Sequence, residues 1–213
     1  MGCKLYFVRH GESLGNHRNV FLGQTDLDLS ELGYKQAART AQYLKELDID
    51  KVYSSDLLRA YNTCREYLKV SGKEAEKSHS LREIYVGKWE NQRFDDLQKH
   101  FKDSYGVWLH DLGNAHPDDG ESVKELEARI VSFVTKVAEE HDGETLLFFT
   151  HATVIRAFFN YAYGNATEDI KNLKWATNAS VSFAEYNNGK FTVAEYGADD
   201  FLGDLRTYLP ANV

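Results

Sequence analysis

Three short runs of this chain are apolar without alternation: Leu5-Tyr6-Phe7-Val8 within 4–8, a run around 52–54 that includes Val52 and Tyr53, and 145–149 (Thr145-Leu146-Leu147-Phe148-Phe149). A strand with one wet face alternates polar and apolar side chains, so unbroken runs predict parallel strands covered on both faces. Between them the apolar period changes to that of helices. Ala37, Ala41, Leu44 and Leu47 form one stripe. Leu57, Tyr61, Cys64 and Leu68 form a second. Val123, Leu126, Ile130, Phe133 and Val137 form a third, opened by Ser122 and Glu125 at the spacing of a capping box.

Strands alternating with helices imply an α/β fold: a three-layer α/β/α sandwich on a mostly parallel sheet with right-handed crossovers. Near the end, Val181 and Phe183, then Phe191 and Val193, alternate with polar or small neighbours across Asn187-Asn188-Gly189. This predicts a C-terminal hairpin added to a sheet edge. The stretch 86–120 breaks the rhythm and is rich in aromatic residues, including Trp89, Phe94, Phe101, Tyr105 and Trp108. It is expected to be a helical cap over the crevice, its aromatic residues packing together rather than forming a base-stacking platform. No repeat or interdomain linker is visible, so residues 1–213 read as a single domain with that insertion.

Composition narrows the classes. Thirteen tyrosines and 12 phenylalanines indicate a packed core. A net charge of −8 without a Lys/Arg-rich run argues against a nucleic-acid partner. No apolar stretch is long enough for a bilayer and no signal peptide is recognisable, so no membrane partner and a cytoplasmic location are expected. Cys3 and Cys64 read as small buried hydrophobes, consistent with a reducing compartment. Asp118, Asp119 and Glu121 read as a solvated approach to a helix, because they lack the alternating ligand positions of a calcium loop. His79, His100, His110, His116 and His141 have no metal-ligand spacing and are assigned to solvent or structure.

The candidate chemistry sits where strands end. Arg9-His10-Gly11-Glu12-Ser13 follows the first apolar run and places a cation and an imidazole on a turn whose backbone can approach an anion. For His10 alone, a catalytic imidazole and a core histidine both remain open. Arg59 lies in the first turn of the helix after Ser54-Ser55, near its positive end. Thr150-His151-Ala152-Thr153 puts another histidine at a strand-to-helix junction. Such junctions converge on the crevice at the carboxyl ends of the strands, so His10, Arg59 and His151 can meet there.

These segments resemble the histidine phosphatase superfamily, the clan of phosphoglycerate mutases and related acid-type phosphatases. RHGES at 9–13 with Asn16 beyond it, FLGQTDLDLSELG at 21–33, SDLLRAYNT at 55–63, LREIYVGKWEN at 81–91, PDDGES at 117–122 and THATVIR at 150–156 occur in the family's order over most of the chain. The resemblance implies a phosphohistidine on His10. Arg9 and Arg59 would clamp the phosphoryl oxygens, with a charged His151 as an additional donor. It assigns the acid/base role to Glu83, with Glu12 and Glu90 as weaker competitors. Asn16, Leu22, Gly23 and Ala152 fall at substrate-binding positions. No metal or cofactor is implied, the partner is a small phosphorylated metabolite, and monomer and homodimer both stay open.

Two departures matter. Ala152 stands where most members carry glycine, tolerable if its φ is negative and restrictive if φ is positive. The mutase-type extension after Glu83 is missing, and 86–120 holds Lys88, Arg93, Lys99 and Lys102 against seven acidic residues. A mutase needs a closed, basic pocket, so hydrolysis of a small phosphomonoester is expected. A phosphoglycerate mutase and a catalytically silent phosphate-binding protein are the alternatives.

Overall fold

The structure, a computed structural model, describes residues 2–208. Residue 1 and residues 209–213 of the single-domain reading lie outside the described residues. The chain runs β1 (Cys3–Arg9), α1 (Leu14–Arg18), α2 (Glu31–Leu44), β2 (Lys51–Ser54), α3 (Leu58–Ser71) and β3 (Glu76–Lys77). It continues through α4 (Phe94–His100), α5 (Lys102–His110), α6 (Val123–Glu140), β4 (Thr145–Thr150), α7 (Ala152–Ala162), β5 (Val181–Asn187) and β6 (Lys190–Ala198). The sheet order is β3-β2-β4-β1-β5-β6. β3, β2, β4 and β1 are parallel, and β5 and β6 are antiparallel. This is the three-layer α/β architecture expected from the pattern.

The unbroken apolar runs serve two cores at once. Leu5, Phe7, Leu146 and Phe148 join Ile130, Val134, Ile155 and Phe158 of α6 and α7. Their neighbours Val8, Leu147 and Phe149 join Ala41, Leu44, Cys64 and Tyr67 of α2 and α3. Successive residues point to opposite faces, so a central strand with helices above and below has no polar position to spare. Phe7 stacks on both Phe148 and Phe158 at 4.8 and 4.6 Å. Cys3 and Cys64 are buried here, and burial pushes both thiols up to about 12, which leaves them protonated and inert.

The stripe on α3 is rotated from the expected one. Leu57 is the residue before the helix, Tyr61 and Leu68 are only half-buried, and the inward face is Ala60, Thr63, Cys64 and Tyr67. The rotation turns Arg59 inward, where its partners are backbone carbonyls. Leu47 packs beside the α2 stripe but lies beyond the end of that helix. α6 begins with the expected capping box, Ser122 with Glu125. The hairpin between β5 and β6 turns on Asn188 and Gly189 at φ 50° and 79°, the left-handed pair required by a two-residue turn with the twist of its strands.

The stretch 86–120 contains α4 and α5, and the acidic group Asp118, Asp119 and Glu121 at its end is not solvated throughout. Asp118 accepts hydrogen bonds from Trp89 Nε1 at 3.3 Å and from the Ser104 hydroxyl, and Glu121 accepts a bidentate pair from Arg129 at 2.9 and 2.8 Å. Asp118 thus braces the cap internally, and Glu121 fixes the start of the segment leading into α6 on that helix. Asp119, paired with exposed Lys88, alone fits the solvated reading.

Gly11 and Gly33 bring the turn after β1 against the start of α2. A Cβ on Gly33 would lie 2.0 Å from the Glu12 carbonyl oxygen, and one on Gly11 would lie 2.5 Å from the Gly33 carbonyl oxygen. Backbone fills both spaces, so neither contact can relax by a side-chain rotation. Gly33→Ala is therefore expected to destabilise the protein by about 1–3 kcal/mol in urea unfolding. Gly106→Ala, in α5 with open space around its Cβ, should instead raise stability by a few tenths to about 1 kcal/mol.

Candidate active site

Parallel pairing of β1 with β4 sets Arg9 opposite Thr150. The next residue on each strand is therefore a histidine, and the His10 and His151 rings lie 5.2 Å apart, edge to face. The turn is held by backbone: the His10 N–H donates to Thr150 O at 3.0 Å, and the Ser55 N–H, after β2, donates to Phe149 O at 2.9 Å. Three adjacent strand ends thus deliver Ser55, His151 and His10 to one floor. The crevice lies at the carboxyl ends of the parallel strands, as the alternation of elements implied.

His10 is buried, and its Nδ1–H donates to the Gly11 carbonyl at 2.7 Å. A carbonyl can only accept, so this bond selects the Nδ1–H tautomer and leaves Nε2 as the basic nitrogen of the ring. Burial, then Arg59 and Arg9, push the His10 imidazolium well below its usual range. The ring is neutral at neutral pH, as a nucleophile must be.

Arg9 and Arg59 are 3% and 1% exposed. Arg59 donates from its two terminal nitrogens to Gly23 O at 2.7 Å and Thr25 O at 3.0 Å, and Arg9 donates to Ala176 O at 2.6 Å. Burial lowers both guanidinium groups to about 10, so both stay cationic at neutral pH. Arg9 Nε is buried without a hydrogen-bond partner. These carbonyl bonds orient the cations without neutralising them. Two fixed cations at one site suit a compact anion.

His151 differs from its expected charge state. It is fully buried, its Nε2 shares a 2.8 Å hydrogen bond with Ser55 Oγ, and its Nδ1 is buried without a partner. Burial, Arg59 and His10 all push it well below the usual histidine range, so the ring is neutral. An imidazolium beside two buried guanidinium groups would cost too much here. With Ser55 donating to Nε2, the ring offers an Nδ1–H donor instead of a charge.

Glu83 is buried, with Oε1 accepting from the Ile84 N–H at 2.9 Å and Oε2 from the Thr153 N–H at 3.2 Å. Burial pushes its carboxyl upward, against those N–H groups and Arg59. Its competitors are committed elsewhere. Glu90 accepts from the backbone N–H groups of Gly23, Gln24 and Thr25, at 3.2, 2.6 and 3.0 Å, and from the Thr25 hydroxyl. Glu12 accepts from the Ser30 hydroxyl at 2.5 Å and lies 3.8 Å from exposed His17. Glu90 holds the loop that in turn holds Arg59.

His10, Arg9, Arg59 and Glu83 open on one cavity of about 530 Å³, part of it continuous with solvent, whereas fully buried His151 lies behind its lining. Arg9, His10, Arg59 and Glu83 line its inner end, beside Ala152 and Thr153. Ala152 is the first residue of α7 and does not have a positive φ, so its methyl group is accommodated without strain. Asn16 and Leu22 are on the wall, and Asn16 Oδ1 accepts from Ser13 and from Asn178 Nδ2. Gly23 stands behind Arg59 rather than on the wall: its carbonyl anchors the guanidinium, and a Cβ there would strike Glu90 at 2.3 Å. Trp89 is packed in the core, whereas Phe94 and Trp108 of the cap, with Trp175 before β5, face the cavity.

The remaining histidines are outside. His79 pairs with Asp56 at 3.1 Å, and His141 meets the Tyr53 hydroxyl at 3.1 Å. Among the described residues, no three His, Cys, Asp or Glu side chains converge as a metal site, and no helix is long and apolar enough to cross a membrane. Ser55, Thr63, Thr153 and Trp175 were not singled out from sequence. Thr63 Oγ1 accepts from the Gly11 N–H at 3.0 Å and donates to Arg59 O at 2.7 Å, joining the His10 turn to the Arg59 helix.

Residues 5–199 match the histidine phosphatase superfamily (branch 1). The chain belongs to that superfamily. Phosphoglycerate mutase-like protein 4 of Arabidopsis thaliana is 30% identical over 92% of this chain and 85% of its own length. Phosphoserine phosphatase 1 of Hydrogenobacter thermophilus is 31% identical over 73% and 74%. YhfR of Bacillus stearothermophilus has the same fold, with a TM-score of 0.90 at 24% identity over 94% of this chain and 99% of that one.

The Glu90 cluster carries a direct test. Glu90→Ala in this superfamily member strands the Gly23, Gln24 and Thr25 N–H groups together, and urea unfolding should show a loss of about 2–3 kcal/mol.

Proposed function

We propose that the site is the phosphoryl-transfer centre of a phosphomonoesterase acting on a small phosphorylated metabolite through phospho-His10. The supporting observation is a neutral His10, its Nδ1–H tied to Gly11 O, beside two buried guanidinium groups at the inner end of one cavity.

In the first step Nε2 of His10 attacks phosphorus and the bond to the ester oxygen breaks. Arg9 and Arg59 hold the equatorial oxygens, whose charge spreads in the transition state, and His151 Nδ1–H adds a donor. The leaving alkoxide takes a proton from the Glu83 carboxyl, which burial keeps available. In the second step Glu83, now a carboxylate, takes a proton from water as the water oxygen attacks the phosphohistidine. The N–P bond breaks, releasing inorganic phosphate and restoring neutral His10. The acid and the base are the same group, so each cycle returns Glu83 to its protonated form.

A mutase that moves a phosphoryl group between hydroxyls of phosphoglycerate must also hold a carboxylate. Among the described residues lining the cavity, Arg9 and Arg59 are the cations, and both serve the phosphoryl end. Hydrolysis fits that lining better.

Acid-labile, alkali-stable phosphate on the His10 peptide of quenched enzyme is the expected signature, and active His10→Ala would remove the mechanism. Arg59→Ala should lose about a hundredfold in kcat.

The pH profile follows from the two shifts. His10 must be neutral and is lowered well below 6.5, so acid should reduce kcat/KM only well below that pH. Glu83 must be protonated and is raised above 4.5, so the alkaline decline should begin above that value. Glu83→Gln should abolish the alkaline limb, and should slow an alkyl phosphate far more than p-nitrophenyl phosphate, whose leaving group needs no proton. Equal losses on both esters would make Glu83 structural.

A further inference from the structure

The outer part of the cavity is built differently from its inner end. Phe21, Leu22, Phe94, Trp108 and Trp175 form its wall, drawn from the loop after α1, from α4 and α5, and from the segment before β5. The rings form a connected cluster. Phe21 meets Trp108 at 5.0 Å and 77° and Phe94 at 5.8 Å and 69°, while Trp108 and Trp175 stack at 6.3 Å and 22°. Trp175 is braced by Arg156, whose guanidinium lies 4.1 Å from its ring centroid. Arg156 lines a neighbouring hollow and is not among the residues lining the catalytic cavity.

This wall constrains what the phosphate can be attached to. A phosphoryl dianion uses the charge of Arg9 and Arg59. A second anionic group on the substrate would then be removed from water against aromatic faces, which carry partial negative charge, and near Glu83, which becomes anionic after the first step. Its desolvation would go uncompensated. The polar groups on the wall offset this little, because the Ser13 hydroxyl and the Asn16 carbonyl oxygen are bonded to each other and the Asn16 amide offers an uncharged donor in place of a cation. An apolar or aromatic body, by contrast, gains from every ring it covers.

We infer that this enzyme selects phosphomonoesters whose alcohol is uncharged and apolar, preferably aromatic, with Phe94 and Trp175 as specificity-determining residues. The inference rests on the phosphatase reading above. Both residues are half-buried and belong to different elements, so each tests the wall separately. The ester oxygen remains the leaving group, and water remains the second substrate.

The test compares 2-phenylethyl phosphate with ethyl phosphate and O-phosphoserine, all alkyl esters that need a protonated leaving oxygen. Inorganic phosphate release by the full chain is measured. The expected result is a kcat/KM for 2-phenylethyl phosphate at least about tenfold above either comparator. Phe94→Ala and Trp175→Ala should each shrink the ratio of phenylethyl to ethyl ester, Trp175→Phe should largely retain it, and Phe94→Arg should shift preference toward O-phosphoserine. Preference of the wild type for O-phosphoserine would overturn the proposal while leaving the phosphatase reading intact. So would alanine variants that slow both alkyl esters equally, since the rings would then be structural. Release of phosphate from none of the esters, p-nitrophenyl phosphate included, would overturn the phosphatase reading and this proposal with it.

Discussion

Two guanidinium groups are buried at the inner end of one cavity with Glu83 as the carboxyl group they share, and much of the surrounding structure exists to tolerate that. Taking a cation out of water is costly unless it is paired or hydrogen-bonded. Here Arg59 is met by the carbonyls of Gly23 and Thr25 and Arg9 by that of Ala176, which supply dipoles but no opposing charge. A bound dianion would offset the remaining cost. Two neighbouring imidazoles feel the same field, and both are held neutral. The protonation state of the proposed nucleophile is thus set by the cations proposed to receive its substrate.

The sheet makes this arrangement possible. Parallel β1 and β4 end at the same level, so their two histidines become neighbours. β2 ends beside them and supplies Ser55. The dense aromatic packing of Phe7, Phe148 and Phe158 beneath the floor keeps the strand ends in register. Stability and chemistry meet at Gly11 and Gly33, where backbone touches backbone and a side chain would push the nucleophile's turn outward.

Much of this was legible in the sequence because it depends on local pattern. Unbroken apolar runs identified the two-faced strands, Asn188-Gly189 the hairpin and Ser122-Glu125 the start of α6. The residues at the strand ends named the site, since topology alone brings them together. What was not legible depends on distance. The rotation of α3 follows from where Arg59 finds carbonyls, 34 and 36 residues away in sequence. Asp118 and Glu121 looked solvated because Trp89 and Arg129 are brought to them by the fold. A charged His151 was a reasonable expectation for an isolated histidine. Its partner-poor burial beside Arg59 reverses that. Trp175, in a loop without period or motif, gave no signal at all.

The two glutamates show how environment, rather than residue type, assigns a role. Glu90 accepts four hydrogen bonds from one loop, three at Oε2 and one at Oε1, which commits it to holding Gly23, Gln24 and Thr25 in place. Glu83 accepts two backbone N–H groups and faces the cavity with capacity left over. Burial raises its proton affinity while Arg59 lowers it, and burial prevails. In the proposed cycle that balance would shift, because a bound dianion would screen Arg59 and favour the protonated form, whereas departure of the alcohol would readmit water and favour the carboxylate. Glu83 would thus be biased toward acid before the first displacement and toward base before the second, with Glu90 holding the loop that keeps Arg59 in position for both.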